Sequence, residues 1–317
     1  MVVTLGKVRG GNDMKRIHFF LSSVNAAIFT VGSLFATVHP PIAQAQTVQK
    51  DYVNHPEKAN IEYAVKNRLM WLYPDGNFRP EQPITQADVV AGLVNVKGLT
   101  VGTPVQGFPA NHWAKVYYER ANKDGMLNGV VISPNKVLTR EEVAKLLVNA
   151  WQNVRASVTQ KNSEFRKNDS YVQFVVGSRQ MRPKAGKFPN GVATSLYDSF
   201  GSLTRAELAY TLSFMKKDFM EVREAEVIAD KMHNSIKISG GYITVTAPKT
   251  RKELEAKFFI VTKSNQYLDT LEKGYLKHPI ADVQRILVSV KNKDTNTALV
   301  GYRYTKLPKL DRERIWW

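Results

Sequence analysis

The 317-residue chain has no cysteine. Disulfide staples, thiol chemistry and cysteine-based zinc sites are therefore excluded. Histidine is scarce, with six in all. The two in the last third, His233 and His278, stand far apart and lack metal-ligand spacing. No Gly-x-Ser-x-Gly and no phosphate-cradling glycine loop is present. The acids of that region, such as Glu253, Glu255, Asp269 and Glu272, lie among Lys and Arg. They read as solvated charge rather than as a glycosidase pair. No catalytic residue, cofactor or metal is expected. Beyond residue 45 no apolar run is long enough to cross a bilayer.

Acidic charge is also in short supply. Lys and Arg number 45 against 28 Asp and Glu, a net charge of +17. Such a balance favours polyanionic partners. The basic residues are spread rather than blocked and no nucleic-acid-binding module is recognisable, so nucleic acid is not expected. The N-terminus reads as a secretory signal peptide over residues 1–45. Met14-Lys15-Arg16 is its basic region, Phe19 to Val38 its apolar stretch, and Ala43-Gln44-Ala45 a small-residue cleavage site before Gln46. The competing reading is a retained membrane anchor. Either Met1 or Met14 serves as the start. An exported chain that does without oxidative folding suggests a cell-surface protein whose partner is an acidic wall polymer or lipid head group.

A short phrase occurs three times, each at the head of an apolar run. It is Ile84-Thr85-Gln86-Ala87-Asp88, Leu138-Thr139-Arg140-Glu141-Glu142 and Leu203-Thr204-Arg205-Ala206-Glu207. A Thr followed three residues later by a carboxylate is a capping box. Thr85 and Asp88, Thr139 and Glu142, and Thr204 and Glu207 are thus expected as helix caps. The threonines lie 54 and then 65 residues apart, so the chain carries a repeat. Upstream of the first box, Asp75-Gly76-Asn77-Phe78-Arg79-Pro80 signals a tight turn, and Ile61, Ala64, Val65 and Leu69 mark an earlier helical face. The second unit opens at His112-Trp113-Ala114 and lacks the Asp-Gly turn. The third is looser. Tyr171 to Met181 supplies a first helix, Gly186-Lys187-Phe188-Pro189 echoes the turn, and an insertion over 190–202 delays the box. After about Met220 the pattern changes. Lys237 to Pro248, Arg285 to Asn292 and Thr297 to Lys306 read as strands, the last two around a hairpin at 293–296. Arg251 to Leu271 mixes helix and strand signals.

These residues resemble three tandem S-layer homology (SLH) repeats, the third divergent. The carriers are His112-Trp113-Ala114, Asp75-Gly76-Asn77-Phe78-Arg79-Pro80 and Leu203-Thr204-Arg205-Ala206-Glu207. The resemblance implies a mainly α fold. It would be a pseudo-threefold SLH trimer with a central three-helix bundle, joined here to a small C-terminal α+β domain. The divisions are a signal peptide at 1–45, repeats at 46–103, 104–158 and 159–220, and a domain of unknown role at 221–317. The family's role is non-covalent anchoring of exported proteins at the cell wall or S-layer by binding secondary cell-wall polymer, commonly a pyruvylated glycan. A peptidoglycan-linked glycan is the same kind of partner. The alternative is a small SLH-anchored glycan hydrolase active in the C-terminal domain, which could equally have a protein partner. Candidate glycan contacts are Arg140 and Arg205, whose forks match a carboxylate, with Gln86 in their place in the first repeat. Trp113 offers a flat face, and Asp75 and Gly76 a close backbone approach. Departures stand out: Gln86 replaces Arg, Pro56 replaces Trp, and Glu141 replaces Ala.

Overall fold

The computed structural model describes residues 50–152, 154, 170–269, 274–305, 307 and 309–315. The expected signal peptide, the segment 155–169 where the expected second and third repeats meet, and Glu272 lie outside these residues. No helix among the described residues is long and apolar enough to cross a membrane.

Three helices carry the repeated phrase at their N-termini, and each is preceded by a shorter one. In chain order they are α1 (Lys58–Lys66), α2 (Gln86–Lys97), α3 (Lys115–Asp124), α4 (Arg140–Trp151), α5 (Tyr171–Gly177) and α6 (Arg205–Ser235). The central helices α2, α4 and α6 bury the apolar residues that follow each box, including Val89, Leu93, Val143, Leu147, Leu208 and Leu212. Each outer helix packs on the central helix of the preceding repeat: α1 on α6, α3 on α2 and α5 on α4. Repeat 1 thus leans on repeat 3, and the ring closes.

Backbone pairing enforces the ring. Isolated antiparallel bridges join Thr85 to Val137, Thr139 to Ser202 and Pro83 to Thr204. The first two amides of every central helix donate to the approach loop of the next repeat. Gln86 and Ala87 reach the Lys136 and Pro134 carbonyls, Arg140 and Glu141 those of Gly201 and Ser199, and Arg205 and Ala206 those of Gln82 and Pro80. Amides that would be orphaned at a helix start are thereby satisfied between repeats.

The mainly α expectation is overturned. Of the described residues 34% are helical and 24% lie in strands, in three sheets. The reason is local. The outer helices are short, of nine, ten and seven residues. After α6 the chain is almost wholly strand: β3 (Lys237–Ser239), β4 (Tyr242–Thr246), β5 (Leu254–Thr262), β6 (Tyr267–Asp269), β7 (Tyr275–Pro279), β8 (Val283–Asn292), β9 (Thr297–Thr305) and β10 (Asp311–Arg314). A five-stranded antiparallel sheet has the order β10-β9-β8-β5-β6, and a three-stranded one β3-β4-β7. The stretch 251–271, ambiguous in sequence, supplies the central β5 and the edge β6. Its Phe258 and Ile260 are fully buried, which β-rich packing favours. A two-residue pair, β1 (Gly186–Lys187) with β2 (Ala193–Thr194), forms a small hairpin in repeat 3.

The long helix α6 belongs to both parts. Its first half buries Leu208, Ala209, Leu212 and Met215 in the helical core. Its second half buries Val222, Ala225, Ile228, Ala229 and Met232 with the sheet residues Phe258, Ile286, Val288 and Tyr304. Phe219 packs against both cores. The boundary expected at 220/221 therefore falls inside a continuous helix of 31 residues. Arg251 staples the junction, pairing with Glu221 and Glu224 of α6 and with Glu253 at the entrance to β5.

Candidate functional site

The capping boxes are closed in all three central helices. Thr85, Thr139 and Thr204 accept from the amides of Asp88, Glu142 and Glu207 at 3.2–3.3 Å. Each acid in turn accepts from its threonine's amide at 2.8–3.0 Å. Burial acts to raise the Glu142 carboxyl. Bonds from Lys136 and from the Thr139 amide outweigh it and hold the group below the usual carboxylate range.

The residue after each Thr does not reach the surface. Arg140 is 0% exposed, Arg205 2% and Gln86 2%. Each reaches into the next repeat. Arg205 donates from Nε to the Phe78 carbonyl at 2.7 Å and from its terminal nitrogen to the Trp71 carbonyl at 2.8 Å. Arg140 donates likewise to Tyr197 at 3.2 Å and Arg182 at 2.6 Å. Gln86 donates to the Val131 carbonyl at 2.9 Å, and its oxygen accepts from the Tyr118 hydroxyl and the Ser133 amide, both at 2.8 Å. Each arginine also lies near the next repeat's capping acid: Arg140 3.6 Å from Glu207, and Arg205 3.8 Å from Asp88. Burial pushes both guanidinium groups below their ordinary pKa, opposed by Glu207 for Arg140 and by Tyr73 and Asp88 for Arg205. Where the latch is the neutral Gln86, the corresponding acid Glu142 pairs with Lys136 instead. The variable position of the repeated phrase is thus a latch between repeats.

These contacts also align the third repeat. Tyr197, not Phe188, occupies the place of Phe78, because its carbonyl receives the latch arginine. The extra residues form the β1–β2 hairpin ahead of it, whereas the sequence suggests an insertion over 190–202.

One further departure, Glu141, finds a physical reason at the starts of the outer helices. His55 and His112 each accept on Nδ1 from the amide two residues on, at 3.0 and 3.1 Å, and so organise the starts of α1 and α3. Repeat 3 has no such histidine. Glu141 substitutes for it, accepting from Ser170 Oγ, the Tyr171 amide and the Val172 amide at 2.7, 2.8 and 3.2 Å. Its equivalents Ala87 and Ala206 are small and buried. A carboxylate suits the N-terminus of α5, where free amides favour negative charge.

Asp75 and Gly76 form a turn. Asp75 accepts from the Asn77 amide and pairs with Arg79 at 3.0 Å, and these two contacts hold its carboxyl below the usual range. Gly76 has φ of +81°, a conformation that costs a side-chain-bearing residue. The amides of Phe78 and Arg79 rest on the Asp51 carboxylate.

The accessible part of the region is aromatic. Trp113 is 50% exposed and Trp71 39%. Their rings meet edge-on at 5.2 Å, Tyr117 lies 6.5 Å from Trp71 and 6.0 Å from Trp113, and His112 stacks behind Trp113 at 5.8 Å. Trp71 comes from repeat 1 and Trp113 and Tyr117 from repeat 2, so the ledge exists only when the two are docked. Two residues after Trp71 in the chain, the Tyr73 ring has the Arg79 guanidinium 3.9 Å away and that of buried Arg205 at 4.8 Å. Sequence reasoning singled out Trp113. It missed Trp71, Tyr117 and Arg79, because no spacing rule joins them across two repeats.

Two of the acids weighed for catalysis are engaged. Glu253 pairs with Arg251, and Glu255 with Lys257 and Lys291. No cluster of three or more His, Asp or Glu with metal-binding geometry occurs among the described residues.

The S-layer homology domain model matches residues 50–90. That segment lies within the first repeat and runs from ahead of its outer helix α1 through its capping box. The match supports attachment at the cell surface by wall binding in general terms. None of the curated proteins matches the chain.

Proposed function

We propose that this chain is an exported, non-enzymatic protein that anchors to the bacterial envelope by binding an acidic secondary wall polymer of the pyruvylated type. The binding face is the ledge of Trp71, Trp113 and Tyr117, and Arg79, which lies over the Tyr73 ring of the same repeat as Trp71, is the candidate cation. The observation that carries this reading is that Trp71 of repeat 1 and Trp113 of repeat 2 meet ring to ring while both stay exposed, with the half-buried Tyr117 beneath them. Exposed aromatic faces pack well against sugar rings, and an Arg fork pairs with a ketal carboxylate. Arg140 and Arg205 act on the ligand indirectly: they hold the segments that carry the surface groups, Arg205 gripping the backbone of Trp71 itself. The leader-like residues 1–45 agree with export, and the net charge of +17 favours an acidic polymer.

The test is co-sedimentation of the full mature chain with wall sacculi, intact and after mild-acid removal of pyruvyl groups. Pelleting with intact walls and a clear loss after depyruvylation is expected. Equal pelleting with both would remove the carboxylate from the account, and no pelleting at low salt would remove wall binding.

A further inference from the structure

The three-stranded sheet β3-β4-β7 presents one face to solvent, and that face carries cations and aromatic rings. Register fixes which residues share it. Lys237 pairs with Thr244, which pairs with Lys277; Ser239 pairs with Tyr242, which pairs with Pro279; Thr246 pairs with Tyr275. The alternate residues Ile243 and Val245 are fully buried in the second core, so the first set points outward. That outward set contains two lysines, two tyrosines, two threonines, a serine and a proline, and no acid. Tyr242 is 42% exposed and Tyr275 49%. Lys277 Nζ lies 4.5 Å from the Tyr242 ring centroid. Lys237 and Lys277 flank Thr244 on the two outer strands, so their backbone positions lie about 10 Å apart, two strand spacings.

We propose that this face is a second glycan-binding surface, and that its ligand is a carboxylated polysaccharide. The lysines supply charge complementarity to spaced carboxylates. The tyrosines supply flat faces for the intervening rings, and the hydroxyls of Thr244, Thr246 and Ser239 can donate to or accept from sugar oxygens. Because the sheet packs on the same helix α6 that closes the repeat ring, the two surfaces are carried on one scaffold. A polymer long enough to reach both gains avidity with no new contact at either. The inference rests on the reading of the repeats as a binder of acidic glycan, but the sheet face must bind by itself.

The experiment uses the full mature chain and three probes: polygalacturonate, polyglutamate and dextran. The Trp71→Ala/Trp113→Ala chain is the background, so that only the sheet face is read. In that background, binding of polygalacturonate that weakens with salt is expected. Lys237→Ser/Lys277→Ser should lower its affinity about tenfold, within what two surface pairs supply. Tyr242→Ser/Tyr275→Ser should weaken polygalacturonate while leaving polyglutamate unchanged, and dextran should not bind. These positions are solvent-facing, so thermal unfolding should stay in place. The proposal is overturned if the background chain fails to bind polygalacturonate, if the lysine variant binds as its parent does, or if the tyrosine variant affects both polyanions alike. None of those results touches the sacculus assay, which tests the repeats separately.

Discussion

Removing the Arg205 side chain should destabilise the protein before it affects any ligand. Arg205 is 2% exposed and donates to two carbonyls, those of Phe78 and Trp71, that lie more than a hundred residues away in the chain. Hydrogen bonds from a charged donor contribute about 1.5–3 kcal/mol each. Breaking a buried pair by deleting one partner costs about 3–5 kcal/mol. Arg205→Ala also leaves Asp88, 3.8 Å away, without its cation. A loss of about 3–5 kcal/mol is therefore expected. At about 2–4 °C per kcal/mol for a unit of this size, thermal unfolding followed by circular dichroism should shift down by about 6–20 °C. Hydrogen exchange should speed up first in the turn around residues 71–80, because Arg205 fastens repeat 1 to repeat 3. Arg205→Gln, which borrows the solution used at Gln86, should recover part of the loss. An unfolding temperature within a degree of wild type would refute the latch. If that variant also lost wall binding, Arg205 would be a ligand contact after all.

Arg140→Ala should behave similarly, since its carbonyl partners Tyr197 and Arg182 are equally committed; denaturant titration checks the size. Glu141→Ala should cost about 1–2 kcal/mol by uncapping α5, and should raise amide exchange at Val172 and beyond while sparing α1 and α3. Acid sensitivity has a defined sign. Glu142 is held below its ordinary value of 4.5, so its stabilisation is present above that pH and lost as pH falls through the lower folded value. Glu142→Gln should therefore flatten the acid limb of a stability–pH curve, measured by urea unfolding.

Much of the helical module is legible in the sequence, because its signals are local. A Thr and an acid three residues apart predict each central helix, and the apolar offsets that follow predict its buried face. The hairpin around 293–296 is equally local, and β8 and β9 flank it. What escapes is non-local. Arginine at the first position of a helix ordinarily faces water, and only ring closure buries Arg140 and Arg205 beneath the neighbouring repeat. The same closure explains Glu141, which looks like a degenerate residue until α5 is seen resting on it. The aromatic ledge draws one residue from before a turn in repeat 1 and two from the outer helix of repeat 2, a combination no spacing announces. The mixed fold was missed because β5 interleaves charged and apolar residues, as in Glu255, Lys257 and Phe258, and only its partner β8 settles the conformation. Helix α6 hides the junction, since the apolar period runs on while the surface it packs against changes.

The central claim is that wall polymer is held on the exposed aromatic ledge, with the buried arginines serving only to shape it. Co-sedimentation of Trp71→Ala/Trp113→Ala with pyruvylated sacculi tests it most directly, with the unfolding temperature measured on the same sample. The account predicts a large loss of pelleting by a variant that still unfolds cooperatively, because both rings are partly exposed and neither belongs to a buried core cluster. Wild-type pelleting by that folded variant would contradict it.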